Sequence, residues 1–202
     1  MHTNPENTKR VTIVIGAYEK PHGLKKTLAS LENQLNGELC VLVIDDNCPS
    51  NSRCVRHTER VVHEFSNTLD VTYIKNSTRV GVPFVFSKWI DNVETEFFML
   101  YGDGDIMLPG VLRKLLKCLD DYPNASYVHG MQARDSVDIT PTSGEVSVVS
   151  SKKYLKSNLA GGSYSWSQMA CLLRTEPFKL KTEVVKDWYW DHYMHCQLNL
   201  FS

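Results

Sequence analysis

Short apolar runs recur along this chain, and several of them stop abruptly at a glycine or an acid. Val11–Ile15 is apolar except for Thr12 and halts at Gly16, while Leu39–Ile44 is unbroken and leads directly into Asp45-Asp46. Val71–Lys75 alternates, Phe97–Tyr101 is continuous, and Ser126–Met131 forms a fifth run. Runs of this length predict strands. Helical spacing lies between them. Leu24, Leu28 and Leu31 follow Pro21-His22-Gly23 and predict a helix to about Gln34. Val55, Val62 and Phe65 follow the capping residues Ser50-Asn51-Ser52, and Val82, Phe86, Trp89, Ile90 and Val93 share a face behind Pro83. Leu112, Leu115, Leu116 and Leu119 follow Pro109-Gly110. Five strands alternate with four helices, the pattern of an α/β fold with a largely parallel sheet and helices on both faces.

Beyond Gln132 the alternation breaks. Asp138–Val149 predicts a hairpin or irregular strands, Ser150-Ser151 cap a short helix to Ser157, and Gln168–Arg174 predicts another strand. Asp187–Asn199 is the last predicted helix. At 202 residues, with no repeat or linker, the chain predicts a polar extension over 1–10 and one domain over 11–202. Its two parts are 11–135 and 136–202.

Composition removes several classes. A net charge of -1 gives no electrostatic case for nucleic acid as a partner. No apolar stretch approaches the roughly 18 residues of a membrane span, and Met1–Arg10 lacks the hydrophobic segment of a secretory signal. Cys40, Cys48, Cys54, Cys118, Cys171 and Cys196 include no CxxC pair, and Cys40 and Cys171 lie in apolar runs. Buried reduced thiols in a cytoplasmic protein follow as the expectation.

The candidate chemistry sits at two strand ends. Asp103-Gly104-Asp105 follows one apolar run and Asp45-Asp46 another, and in open α/β sheets ligands bind outside the carboxyl ends of the strands. Two hard oxygen ligands around a turn-permitting Gly104 suit Mg²⁺ or Mn²⁺, ions that share a substrate's phosphates. A nucleotide diphosphate is the implied ligand.

These residues resemble the inverting glycosyltransferases of family 2, which have the GT-A fold. Val11–Tyr18 is similar to the family's first strand, with Gly16 in the place of its Pro and Glu19 in the place of its Asn. Ser30-Leu31-Glu32-Asn33-Gln34 resembles its Ser-Leu-x-x-Gln helix end, and Asp45-Asp46-Asn47-Cys48 its Asp-Asp-x-Ser segment with Cys48 for Ser. Asn76–Gly81 resembles the loop before the helix beneath the diphosphate. Asp103-Gly104-Asp105 falls on the DxD metal motif, with Pro109 at the usual distance after it. Cys171–Arg174 resembles the strand before the acceptor region, and Trp190-Asp191 stands where the family has Glu-Asp.

The resemblance implies a metal-dependent transfer of one sugar from a nucleotide-diphospho-sugar, with a UDP-sugar favoured. The implied acceptor is a saccharide or a lipid-linked saccharide. The processive Gln-x-x-Arg-Trp motif is absent. Asp105 is the expected ligand of Mn²⁺ or Mg²⁺, and Asp103 helps through the ribose or metal-bound water. Asp46 is expected to bond the base, with Asp45 as second candidate, or else to cap the following turn. Ala17, Tyr18, Glu19 and Gly104 line the nucleotide-sugar pocket, and the Arg79 guanidinium pairs with the diphosphate.

Asp191 is the expected general base, with Asp187 one helical turn earlier as runner-up. Trp188, Tyr189 and Trp190 either stack on sugar rings or belong to the core. His192, His195 and Cys196 have a spacing open to zinc, or one of these histidines supplies a third ligand to the diphosphate's cation. Gly161-Gly162-Ser163 is an acceptor loop or a connection. Association with a partner protein or the inner face of the membrane is a further expectation. A non-catalytic nucleotide-sugar-binding module is the alternative, followed by a nucleotidyltransferase. The latter is disfavoured because Gly16–Lys20 has no glycine cluster to grip a triphosphate.

Overall fold

A computed structural model of the protein describes residues 9–35, 37–47, 54–81, 85, 88–130 and 170–176. Strands β1 (Val11–Ala17), β2 (Leu39–Asp45), β3 (Asp70–Lys75) and β4 (Phe97–Gly102) lie parallel. Helix α1 (Pro21–Leu31) connects β1 to β2, α2 (Cys54–Phe65) precedes β3, and the short α3 (Trp89–Asn92) precedes β4. Helix α4 (Val111–Asp121) leads to β5 (Tyr127–His129), and β6 (Cys171–Arg174) completes the sheet. The strand order is β3-β2-β1-β4-β6-β5.

The sheet is covered on both faces, which is why β2 and β4 read as unbroken apolar runs. On one face, Ile13 and Ile15 of β1 and Met99 of β4 pack with Leu24 and Leu28 of α1, Val61 and Phe65 of α2, and Leu112 and Leu116 of α4. On the other, Val14, Leu42, Phe98 and Leu100 meet Val85, Val93 and Leu173.

Two expectations change in detail, and one strand that the sequence left unplaced finds its position. Helix α1 stops at Leu31 instead of reaching Gln34, because Glu32 leaves helical geometry and Asn33 turns left-handed at φ 65°. Among the described residues the two late strands span Tyr127–His129 and Cys171–Arg174, with Ser126, Gly130 and Ala170 outside them. More consequentially, β6 enters between β4 and β5, antiparallel to both. The fifth strand in the sequence is therefore an edge strand, and a residue run from much later in the chain is its neighbour. Cys40, Cys118 and Cys171 form no disulfide. Among the described residues no helix is long and apolar enough to cross a membrane.

The amino-terminal edge of the sheet is pinned electrostatically. Arg10 reaches Glu96 at 3.1 Å and Asp120 at 2.7 Å, and Arg174 reaches Glu96 at 3.3 Å. Both guanidiniums lie over the Phe97 ring, 5.4 and 5.0 Å from its centroid. This network ties β1, β4, β6 and α4 together at the end away from the acids, leaving the opposite edge to its loops.

Candidate active site

The strand register decides which residues meet. Across β1, Ala17 stands beside Asp45 of β2, and Gly16 stands beside Gly102 of β4. The three parallel strands therefore end together, and the segments after them emerge along one rim. Main-chain bonds join them: Asp46 N–H donates to Ala17 C=O at 2.9 Å and Asn76 N–H to Asp45 C=O at 2.8 Å. Tyr18 N–H donates to Asp103 Oδ2 at 2.9 Å. The two acidic strand ends, far apart in sequence, converge on the end of β1.

Asp45 and Asp46 are both buried, 1% and 4% exposed, and both are hydrogen-bonded. Asp45 accepts the Tyr73 hydroxyl at 2.6 Å and the Asn47 N–H at 3.1 Å. Burial and the Asp45 carboxylate push the Tyr73 phenol well above its usual range, so it stays protonated as the donor. Asp46 accepts Asn76 Nδ2–H at 3.0 Å, Val80 N–H at 2.8 Å and Gly81 N–H at 2.8 Å. A carboxylate offers about four acceptor positions, so this one is largely committed to holding the 76–81 loop. That loop carries Arg79, whose guanidinium lies 4.3 Å from the centroid of the Tyr18 ring. Asp46, Arg79, Tyr18 and Asp103 thus form one connected series along the rim. Ala17 is buried beneath it. Glu19 is exposed and left-handed at φ 54°, turning the chain from β1 towards α1.

The Asp103–Asp105 turn is fixed from two sides. Besides Tyr18 N–H, Asp103 has the Lys20 ammonium 3.8 Å from Oδ1. Asp105 Oδ2 accepts Gly102 N–H at 3.2 Å, and a Cβ on Gly102 would stand 2.7 Å from that oxygen. From below, Thr27 Oγ1 accepts Gly104 N–H at 2.9 Å and donates to Asp105 C=O at 2.8 Å. Ser30 Oγ accepts Met107 N–H at 3.0 Å, and Gln34 Nε2–H donates to Leu108 C=O at 3.1 Å. A Cβ on Gly23 would come within 2.7 Å of Asp103 O, so α1 passes immediately beneath the turn.

Sequence reasoning noted Ser30 and Gln34 only as part of a helix end and overlooked Thr27. A signal was present, since Thr27, Ser30 and Gln34 are polar at three- and four-residue intervals beside the Leu24, Leu28 and Leu31 stripe.

In each carboxylate of the turn a backbone N–H holds Oδ2, which fixes the group's orientation. Two oriented carboxylates make a hard, open donor set, suited to Mg²⁺ or Mn²⁺ completed by water and phosphate oxygens. Among the described residues no group of three or more His, Cys, Asp or Glu side chains could close a metal site from protein alone. Asp191, Asp187, Trp188–Trp190, His192, His195, Cys196 and Gly161–Ser163 lie outside the described residues.

Burial raises the Asp103 carboxyl above its ordinary 3.8, against the lowering effects of Tyr18 N–H and Lys20. A carboxyl raised in the folded state binds more protons there than in the unfolded chain. Its contribution is therefore absent below about pH 4 and becomes destabilising as pH rises through the folded value. Without metal, Asp103→Asn should match the parent's melting temperature at pH 3.5 and exceed it at pH 7. Thermal melts in EDTA at the two pH values check this, and an equal difference at both would show that Asp103 carries no such penalty.

The family model described as Glycosyl transferase family 2 matches residues 12–178. An uncharacterized glycosyltransferase of Haemophilus influenzae is 24% identical over 119 residues, covering 59% of this chain and 37% of that protein. Among solved structures, S. aureus TarS 1-349 superposes with a TM-score of 0.70 at 18% identity, covering 95% of this chain and 56% of that one. TarS 1-349 in complex with UDP-GlcNAc gives 0.62 at 19% identity, covering 84% and 46%. The mannosyltransferase PcManGT from Pyrobaculum calidifontis, in complex with GDP-Man and Mn²⁺, gives 0.53 at 16% identity, covering 64% and 37%. The chain spans little more than a third of its curated relative and about half of the first of these structures. At these identities the structural likeness establishes a shared fold.

Proposed function

Because the chain belongs to glycosyl transferase family 2, we propose that it moves one sugar from a nucleotide-diphospho-sugar to a saccharide or lipid-linked saccharide, with inversion. A UDP-sugar is the favoured donor, in line with TarS in complex with UDP-GlcNAc, and a GDP-sugar is second, in line with PcManGT in complex with GDP-Man. The carrying observation is the connected series Asp46, 76–81 loop, Arg79, Tyr18 and Asp103 at the carboxyl edge of the sheet.

Each of these residues has a task in this reading. Asp46 holds the loop that walls the nucleotide pocket, with at most one acceptor position left for a base donor. Tyr18 and Arg79 meet at the pocket mouth, where an aromatic face suits a base and a guanidinium fork suits a diphosphate. Asp105 and Asp103 would hold Mn²⁺ or Mg²⁺. Bound there, such a cation neutralises charge developing on the departing diphosphate. Asp191 is assigned the proton. As the acceptor oxygen bonds to the anomeric carbon, the bond from that carbon to the diphosphate oxygen breaks, and the hydroxyl proton passes to the Asp191 carboxylate.

Calorimetry with UDP- and GDP-sugars, with Mn²⁺ and then with EDTA, tests the assignment. One donor should bind, and EDTA should weaken it by about tenfold or more. Binding of none, or binding indifferent to EDTA, would overturn the donor or the cation respectively.

A further inference from the structure

We infer that Thr27 is a positioning residue for the Asp103–Asp105 turn, its buried hydroxyl setting where the two carboxylates project. This rests on reading that turn as the cation site. Within the turn the main chain makes one bond across the middle, Asp105 N–H to Gly102 C=O at 3.3 Å. Gly104 sits at φ 137°, and nothing lies within 4 Å of where a Cβ would stand on it, so its outer side is open. Tyr18 N–H holds the first carboxylate and Gly102 N–H the second. Ser30 and Gln34 hold the chain only at Met107 and Leu108.

Thr27 alone among these three side chains bonds inside the turn, to Gly104 and Asp105. It is fully buried, at 0% exposure. Its single hydroxyl both accepts and donates, so it fixes the N–H of one residue relative to the C=O of the next. The Asp103–Gly104 and Asp105–Ile106 peptides are therefore held in one orientation relative to each other, and each carries one of the two acidic residues. A small cation with a strict coordination geometry is sensitive to such a tilt.

The test is binding of Mn²⁺, alone and with UDP, to the full chain, read from the loss of its free-ion paramagnetic resonance. Thr27→Val should weaken Mn²⁺ about tenfold, the scale seen when groups that orient metal ligands are removed. Thr27→Ser, which restores the hydroxyl, should return binding to within about threefold of the parent. Thr12→Val makes the same change at another buried threonine, bonded to Thr95 at 2.7 Å near the start of β1, and should leave Mn²⁺ affinity as it is. Should the valine variant not fold, Thr27→Ala carries the test with the same expected loss.

Parent-like affinity in a folded Thr27→Val or Thr27→Ala protein overturns the positioning role. So does an equal loss in Thr12→Val, which would trace the effect to general destabilisation. Parent-like affinity in Asp105→Asn overturns the cation site itself, and this inference with it.

Discussion

Asp105→Asn should remain folded yet release nucleoside diphosphate from its preferred donor at least about a hundredfold more slowly. That is the scale of removing one group that stabilises developing negative charge in a site sheltered from water. The asparagine is chosen because its amide oxygen can still accept Gly102 N–H, the bond that Asp105 makes within its own turn. What it loses is the formal charge and the capacity to hold a hard cation. An alanine would lose the hydrogen bond as well and mix a structural effect with a chemical one. Donor hydrolysis gives a readout that needs no acceptor. A variant that melts like the parent and turns over within a few-fold of it would remove Asp105 from the chemistry.

Parts of this arrangement are legible in the sequence. β2 and β4 are covered on both faces, so Leu39–Ile44 and Phe97–Tyr101 had to read as unbroken apolar runs. Their acidic ends followed from sequence order, and the shared rim from the rule that parallel strands present their carboxyl ends together. The place of β6 was not legible. Its four residues pair with β4 on one side and β5 on the other, and an apolar run says nothing about which distant strands it will join.

The end of α1 was obscured for a related reason. Leu35 is buried like Leu31, so the apolar spacing continues past the point where Asn33 turns the backbone away. Asp46 shows the sharpest limit. An acid after a strand predicts a ligand contact and a loop anchor equally well. Two of its three donors are main-chain N–H groups, of Val80 and Gly81, which residue type does not advertise.

That anchoring role gives Asp46→Ala the largest structural effect expected here. The substitution strips the acceptor from Asn76 Nδ2, Val80 N–H and Gly81 N–H at once. Bonds to a charged acceptor contribute about 1.5–3 kcal/mol each, and a buried donor left unpaired costs its desolvation. The loop can swing out and recover water for some of these groups, so a loss of about 3 kcal/mol or more in urea unfolding is expected rather than the full sum. Release of the loop also takes Arg79 off the Tyr18 ring, where it lies 4.3 Å from the centroid. Nucleotide affinity should therefore fall together with stability.

Hydrogen exchange separates this from a role in base contact alone. If Asp46 holds the loop, the Val80 and Gly81 amides lose protection in the alanine variant without nucleotide, while the buried strand amides of Val14 and Leu100 stay slow under conditions favouring the folded state. If Asp46 served only to meet a base, those two loop amides would exchange as in the parent and only the binding isotherm would change. Unchanged protection at Val80 and Gly81 would detach Asp46 from the loop and return it to the nucleotide.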